Sequence, residues 1–254
     1  MSSMIPGLSE PAPISPWRAL WLMMTDPVST FQRLGPRPAI LPAYLLHTVV
    51  ALVAIALAWS YTMDLVAEQI AANPAATPDM MPAMKMSAIV GGIIGGAATP
   101  WLVGLAVSLV ALFIAQFQGG GVPFSAFFGM IGYARIPLAI ATLLGGLWVM
   151  LVGQPLDISL AAVLSADASP TLKAALQMVN PFGLWYYALL AIGFATLMKK
   201  PATKGIPFAA TLFLLSLLLA IAGFLRTSDN DHLFSWNETV VRVVFIPAEG
   251  GTAT

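Results

Sequence analysis

Five long apolar stretches dominate the sequence, separated by short polar segments. They cover residues 40–61, 89–115, 124–152, 182–197 and 206–225. A helix needs about 20 apolar residues to cross a bilayer core of roughly 30 Å, and four of the stretches reach that length. The fourth in order is shorter, so a thinner or partly re-entrant span is its alternative. The pattern predicts an all-α integral membrane protein, with a bundle of five transmembrane helices at residues 39–225.

A different periodicity precedes the first apolar stretch, at residues 17–38. Apolar side chains recur there three and four residues apart, as on one face of a helix: Trp17, Leu20, Trp21, Met24, Val28, Phe31 and Leu34. Asp26 and Pro27 suit the N-cap and the first position of a second helix. Two short amphipathic helices lying in the cytoplasmic membrane interface are predicted. Packing of these helices on the bundle itself is the alternative.

Polar segments flank these elements at both ends of the chain. Residues 1–16 are rich in serine, proline and glycine without an apolar period, so we expect a disordered tail. Residues 226–254 form a polar tail, expected on the non-cytoplasmic side, and its run at residues 239–246 is rich in β-branched side chains.

Composition narrows the function classes. Hydrophobic residues make up 59% of the chain and charged residues 9%, with a mean hydropathy of +0.87. A soluble domain carries about a quarter charged residues, so lipid must solvate most of this surface. The net charge of zero gives no reason to expect nucleic-acid binding. Without cysteine, with two histidines and with no carboxylate in an apolar stretch, the sequence contains no recognisable catalytic set, metal cluster or cofactor motif.

The distribution of basic residues predicts the orientation. If all five stretches cross the bilayer, one side carries Arg18, Arg33, Arg37, Lys199, Lys200 and Lys204. The other side carries fewer basic residues and most of the acidic ones. Lysine and arginine accumulate in cytoplasmic loops. The sequence therefore predicts a cytoplasmic N-terminus and a C-terminus outside the cell membrane.

The second stretch carries a stripe of small residues. Gly92, Gly96, Gly104 and Ser108 repeat at intervals of four, with Pro100 in the remaining place. Small residues let two helix backbones approach closely in lipid. The stripe predicts a tight helix seam within the bundle, and a seam between two copies of the chain is the alternative. Pro100 removes one backbone donor, so a kink is expected there.

Arg135 is the most unusual polar residue of the stretches, because it lies roughly 16 Å along the third helix. Such a position costs at least about 2.5–3.5 kcal/mol on insertion scales. No acidic residue in any stretch can pair with it. Pro137 frees the carbonyl of Tyr133, so Arg135 is expected to reach carbonyls opened by Pro137 or Pro100, or a lipid phosphate. A fold-locking contact and recognition of an ion or substrate both stay open. His47 in the first stretch is expected to make an interhelical hydrogen bond.

Several short motifs, in a fixed order, resemble the YIP (Ypt-interacting protein) family. The opening resembles that of bacterial members, the third span is similar at residues 124–138, and the fourth is similar at residues 180–193. The residues that carry the resemblance include Trp17, Asp26, Pro27, Thr30, Phe31, Gly132, Tyr133, Ala134, Pro137, Asn180, Pro181 and Trp185. The resemblance implies a five-span helical fold with a cytoplasmic N-terminus, here in a bacterial inner membrane. Eukaryotic members act in vesicle trafficking and bind small GTPases.

Two functions are compatible with these observations. The first is a non-enzymatic scaffold that organises the membrane or binds partner proteins. The second is a small transporter or channel whose path passes Arg135, His47, Tyr133 and the prolines Pro100 and Pro137. A continuous polar cavity that reaches Arg135 would favour the second, and a dry, glycine-packed interior would favour the first.

Overall fold

The computed structural model describes residues 14–72, 81–165 and 167–229, which contain helices and no strand. Ten α-helices follow one another in this part of the chain: α1 Pro16–Leu22, α2 Pro27–Leu34, α3 Ile40–Leu57, α4 Trp59–Ala72, α5 Met81–Phe117, α6 Phe124–Ala134, α7 Ile136–Val152, α8 Pro170–Gln177, α9 Pro181–Leu197 and α10 Ile206–Asp229. Short 3₁₀ turns lie at Leu160–Val163 and Ala202–Gly205.

Four of these segments are long and apolar enough to cross a membrane. They are Ile40–Leu57, Met81–Phe117, Phe124–Val152 and Ala202–Ala222. A fifth crossing depends on α8 and α9, which are bent by 57° at the break between them and form either a broken span or a re-entrant loop. The shortness of the fourth apolar stretch had indicated a partly re-entrant segment as the alternative to a full span. The all-helical multi-pass architecture is thus observed, with four or five spans.

The outer surface of the bundle is apolar. Only 17–22% of the residues in each candidate span are buried within the chain, although those spans are among its most hydrophobic parts. Large side chains such as Leu102, Phe113 and Leu218 are more than three-fifths exposed. Water would not solvate such a surface favourably, so it fits a hydrocarbon environment.

Helices α6 and α9 form the centre of the bundle. Helix α6 packs on α5, α3 and α9, while α9 also packs on α2, α7 and α10. Three phenylalanines stack from one helix to the next, with ring centroids 5.7 Å apart for Phe127–Phe194 and 4.5 Å apart for Phe194–Phe208. These contacts join α6, α9 and α10 into one aromatic core.

The two N-terminal helices pack on this centre through one face and leave the other open. The side chains of Ser15 and Asp26 accept hydrogen bonds from the first turns of α1 and α2, at 3.3 Å in each case. Met23 and Phe31 are buried, and α2 lies against α9. Both tryptophans face outward, Trp17 being 67% exposed and Trp21 75%. The inner face of α1 and α2 therefore packs on the bundle, as in the alternative prediction. The outer face of the two helices exposes both tryptophans.

The helix ends differ most from the predicted stretches in three places. Helix α3 ends at Leu57 instead of residue 61, and a separate helix carries the chain on to Ala72. Helix α5 begins at Met81, eight residues before the predicted start, and α10 continues to Asp229. Hydropathy indicates which residues are apolar enough to lie in lipid. Backbone hydrogen bonding can continue beyond those residues, so α5 and α10 are longer than the apolar stretches that predicted them. The predicted disordered tail lies almost wholly outside the described residues, as does the β-branched run of the C-terminal tail.

Candidate functional site

The third span is interrupted where Arg135 separates α6 from α7. The backbone N–H of Arg135 donates to the carbonyl of Ile131 at 3.1 Å, and its carbonyl accepts from Leu138 and Ala139 at 2.9 and 3.2 Å. Pro137 lies at the start of α7, where a missing N–H is tolerated. The proline therefore begins a new helix here instead of kinking a continuous one.

Two residues of α3 fasten this region from the side. The Tyr44 hydroxyl donates to the carbonyl of Phe128 at 3.0 Å, and His47 Nε2 lies 2.9 Å from the carbonyl oxygen of Gly132. Because a carbonyl only accepts, this geometry assigns the imidazole proton to Nε2. Tyr44 and His47 are three residues apart on α3, and the two carbonyls that they bind are four residues apart on α6. Each pair lies on one helix face, so both bonds form along one seam between the two helices. The interhelical contact expected for His47 is therefore present in the structure.

A third bond joins the same helices in the opposite direction. The Tyr133 hydroxyl donates to the carbonyl of Ala39, the residue before α3, at 3.0 Å. Tyr133 and Tyr44 are both fully buried. Three side chains of the seam thus donate hydrogen bonds to backbone carbonyls of the neighbouring segment. Inside a membrane, polar groups have to be satisfied by such bonds within the protein.

Arg135 lies beside this seam and faces α9. Its charge is close enough to the Tyr186 side chain of that helix to interact with it electrostatically. It is also close enough to Tyr44 and His47 to interact with them electrostatically. The side chain is half-buried, and its Nε is a buried donor without a hydrogen-bond partner. The structure thus brings a tyrosine of α9 near Arg135, and the contacts expected with backbone carbonyls or a lipid phosphate stay predictions.

The small residues of α5 divide into two groups. A Cβ on Gly104 would overlap the Tyr44 hydroxyl, and one on Gly96 would lie 2.6 Å from Cδ1 of Ile55. Ser108 is buried and donates to the carbonyl of Gly104 at 2.5 Å. Gly92 has open space around it. Three of the four predicted positions therefore lie where α5 packs within the chain.

Pro100 lies inside the same helix. Helix α5 runs unbroken from Met81 to Phe117, and Pro100 is buried within it. Its neighbour Trp101 donates its indole N–H to Thr48 Oγ1 at 3.0 Å, and Thr48 Oγ1 lies 3.4 Å from the carbonyl of Ala97. Polar contacts between α5 and α3 therefore cluster around the proline.

Sequence reasoning did not single out Tyr44, Trp101 or Phe128, although they form the aromatic centre of this seam. Their rings stack with centroids 4.8 Å apart for Tyr44–Trp101 and 4.4 Å apart for Tyr44–Phe128. One signal was present in the sequence: Tyr44 precedes His47 by three residues, so the two share a helix face. Which helix that face meets depends on contacts between residues far apart in the chain.

The fold and this seam define a multi-pass helical membrane protein in which Tyr44, His47 and Tyr133 are held by interhelical hydrogen bonds. A family model, the Yip1 domain, matches residues 21–224. The chain belongs to that family, which confirms the resemblance read from the residues. No curated protein and no solved structure matches the chain.

Proposed function

We propose that this protein is a non-enzymatic scaffold of a bacterial inner membrane that binds partner proteins at its cytoplasmic face. The observation that carries the proposal is the state of the interior polar groups. Tyr44, His47 and Tyr133 each donate to a backbone carbonyl of a neighbouring helix, at 2.9–3.0 Å. Groups held in this way fix one arrangement of the helices. A transport path would need polar groups that are free to exchange partners, so these bonds favour a fixed scaffold.

The face proposed for partner binding consists of α1, α2 and the turns that precede α6 and α10. A hydrogen bond joins the two turns: Lys200 Nζ donates to the carbonyl of Gln118 at 2.7 Å and lies 3.3 Å from Oε1 of the same residue. Lys199 and Lys204 remain exposed beside this tie, as does Arg37 before α3. Exposed basic residues at a cytoplasmic face attract anionic headgroups and acidic protein surfaces. We therefore propose an acidic partner surface.

The proposed topology can be tested by labelling single cysteines, since the natural chain contains none. Ser15→Cys, Asp167→Cys and Lys204→Cys place a thiol at exposed positions in three segments. With five spans, Asp167→Cys should react with a membrane-impermeant maleimide in intact spheroplasts. Ser15→Cys and Lys204→Cys should react only after permeabilisation. Labelling of Asp167→Cys and Lys204→Cys from the same side would contradict a fourth crossing and assign α8 and α9 to a re-entrant loop.

Partner binding is tested by site-specific photocrosslinking in native membranes. A photoreactive amino acid at Arg37, on the proposed cytoplasmic face, should capture one specific protein in stoichiometric amounts. The same amino acid at Gln154, exposed at the far end of the third span, should not capture it. Charge reversal by Lys199→Glu together with Lys204→Glu should reduce the capture severalfold. Recovery of self-crosslinked copies alone, from both positions, would contradict the scaffold proposal.

Homo-oligomer formation is a separate part of the proposal. Only the Gly92 end of the small-residue stripe is open, because Gly96 and Gly104 already meet side chains of α3. A second copy can therefore approach α5 closely around Gly92, where an added Cβ would meet no atom within 4 Å.

A further inference from the structure

The connection between α7 and α8 exposes apolar side chains. Val163 is 82% exposed and Leu160 50%, and both belong to the 3₁₀ turn Leu160–Val163, which we term the exposed turn. The exposed turn packs on α8, where Leu172 is 45% exposed. A large apolar side chain is stabilised when it leaves water, so this surface favours an apolar neighbour.

Hydrogen bonds hold the exposed turn in one conformation. Asp157 Oδ1 accepts from the backbone N–H of Ser159 at 2.8 Å and from its hydroxyl at 2.6 Å. Ser159 Oγ in turn accepts from the backbone N–H of Ala161 at 3.1 Å. The backbone N–H of Leu160 donates to the carbonyl of Val179 at 3.0 Å, which joins the turn to the segment before α9. The outward direction of the apolar side chains is therefore built into the fold.

Two ring contacts set the register between α9 and α10. Phe194 stacks on Phe208 with ring centroids 4.5 Å apart, and Tyr187 meets Phe213 edge to face with centroids 5.3 Å apart. The earlier residue of α9 thus meets the later residue of α10, so the two helices are antiparallel. Because both rise by the same distance per residue, each step back along α9 corresponds to about one step forward along α10.

This register places the exposed turn at the end of an apolar span. Helix α9 begins at Pro181, six positions before Tyr187, so its start lies level with about residue 219 of α10. The candidate span that contains α10 ends at Ala222, and its 21 residues correspond to about 31 Å, close to the thickness of a hydrocarbon core. Leu160 is bonded to Val179, just before Pro181. The exposed turn therefore lies at the edge of the hydrocarbon core.

The surfaces on either side of the exposed turn also suit lipid. Helix α7, which precedes it, ends in Leu151 and Val152, which are 70% and 49% exposed. Helix α8, which follows it, packs on α10 and is apolar enough to pass with α9 as part of a span. The lipid-facing surface is thus continuous in sequence through the connection, and apolar side chains at this depth are stabilised at the boundary between headgroups and acyl chains.

We infer that Leu160 and Val163 insert into the bilayer leaflet at the far end of the third span, with Leu172 of α8 beside them. The occupant of this surface is lipid, and the connection between α7 and α8 is a membrane-inserted element instead of a water-exposed loop. The inference goes beyond the scaffold proposal, because it concerns the end of the bundle opposite the face proposed for partner binding.

The test uses the full chain in phosphatidylcholine nanodiscs with a nitroxide on one cysteine, since the natural chain contains none. Power saturation compares collisions with oxygen, which concentrates in lipid, and with a neutral nickel chelate, which stays in water. A label at Val163→Cys should give a severalfold higher oxygen-to-nickel ratio than one at Asp167→Cys. Asp167 is the matched control, because it is also exposed and belongs to the same connection. Equal ratios at the two positions would contradict insertion.

A charge substitution tests the same contact from a second position. With the nitroxide at Leu160→Cys, Val163→Asp should lower the oxygen-to-nickel ratio severalfold, because a carboxylate is costly in the acyl region. Ser165→Asp adds the same charge at an exposed position outside the turn and should leave the ratio unchanged. Val163 makes little contact within the chain, so Val163→Asp should still fold.

The same spectra separate lipid from the other possible occupants. Shielding of the label at Val163→Cys from both oxygen and the nickel chelate would mean that protein covers this surface. Spin–spin broadening between labels would identify that protein as a second copy of the chain. Either result would overturn the inference.

Discussion

Replacing Tyr44 by alanine is expected to lower the free energy of unfolding by about 3–5 kcal/mol, the range for truncating a fully buried aromatic residue. The substitution removes the stacks on Trp101 and Phe128 and the hydroxyl bond to the Phe128 carbonyl. It also leaves a cavity against Gly104 and Gly132, whose missing Cβ atoms make room for the ring. Lipid tails are as apolar as the bundle interior, so the loss comes from packing and not from hydration.

A graded series separates the two contributions. Tyr44→Phe keeps the ring and should cost about 1 kcal/mol, the net value of one hydrogen bond. Leu45→Ala, at the next position of α3, removes an exposed side chain and should have a small effect. The measurement is denaturant titration of the purified protein in mixed micelles. Equal losses for Tyr44→Ala and Leu45→Ala would show that the aromatic centre does not hold the seam together.

Replacing Gly146 by alanine should destabilise the bundle by about 1–3 kcal/mol, the usual cost of overpacking. A Cβ there would lie 2.8 Å from the Cα of Ala54 and 3.0 Å from its carbonyl oxygen. Both are backbone atoms of α3, so no rotamer change can relieve the overlap. Helices α3 and α7 would have to separate along the most extensive helix contact among the described residues.

The adjacent glycine provides the control. A Cβ on Gly145 meets no atom within 4 Å. Gly145→Ala should therefore leave stability unchanged or raise it by up to about 1 kcal/mol, since alanine favours the helix. Thermal unfolding of both variants under one detergent condition measures the difference. Similar melting temperatures for the two variants would mean that α3 and α7 do not pack as closely as described.

The helical elements were largely predictable, because their signals are local. Apolar runs of the required length identified the spans, and the capping residue Asp26 identified the start of α2. The third span at residues 124–152 agrees with the structure at both ends. The breaks were less predictable. The start of α4 at Trp59 follows from the backbone hydrogen bonds around Ala58. No glycine or proline in the sequence indicates a break there.

The candidate site was predictable in part. Arg135 and His47 stood out because polar residues in apolar stretches are rare, and that signal needs no partner. The contacts that Arg135 and His47 make could not be predicted from the sequence. The carbonyl of Gly132 accepts from His47, while Arg135 interacts electrostatically with Tyr186, which lies 51 positions further along the chain. Sequence periodicity shows which residues share a helix face, but it carries no information on which helix that face meets.

By itself, the sequence determined that this chain is a helical, multi-pass membrane protein with an isolated arginine in its third span. Hydropathy, charge and helix periodicity are local properties, and they suffice for those conclusions. The tertiary structure decided that Tyr44 is the centre of the seam between α3, α5 and α6, and that Trp185 and Arg135 are both left with unsatisfied donors. It also decided that α8 and α9 are bent apart. These features follow from close approach of distant segments, where glycines such as Gly104 and Gly146 let helices touch.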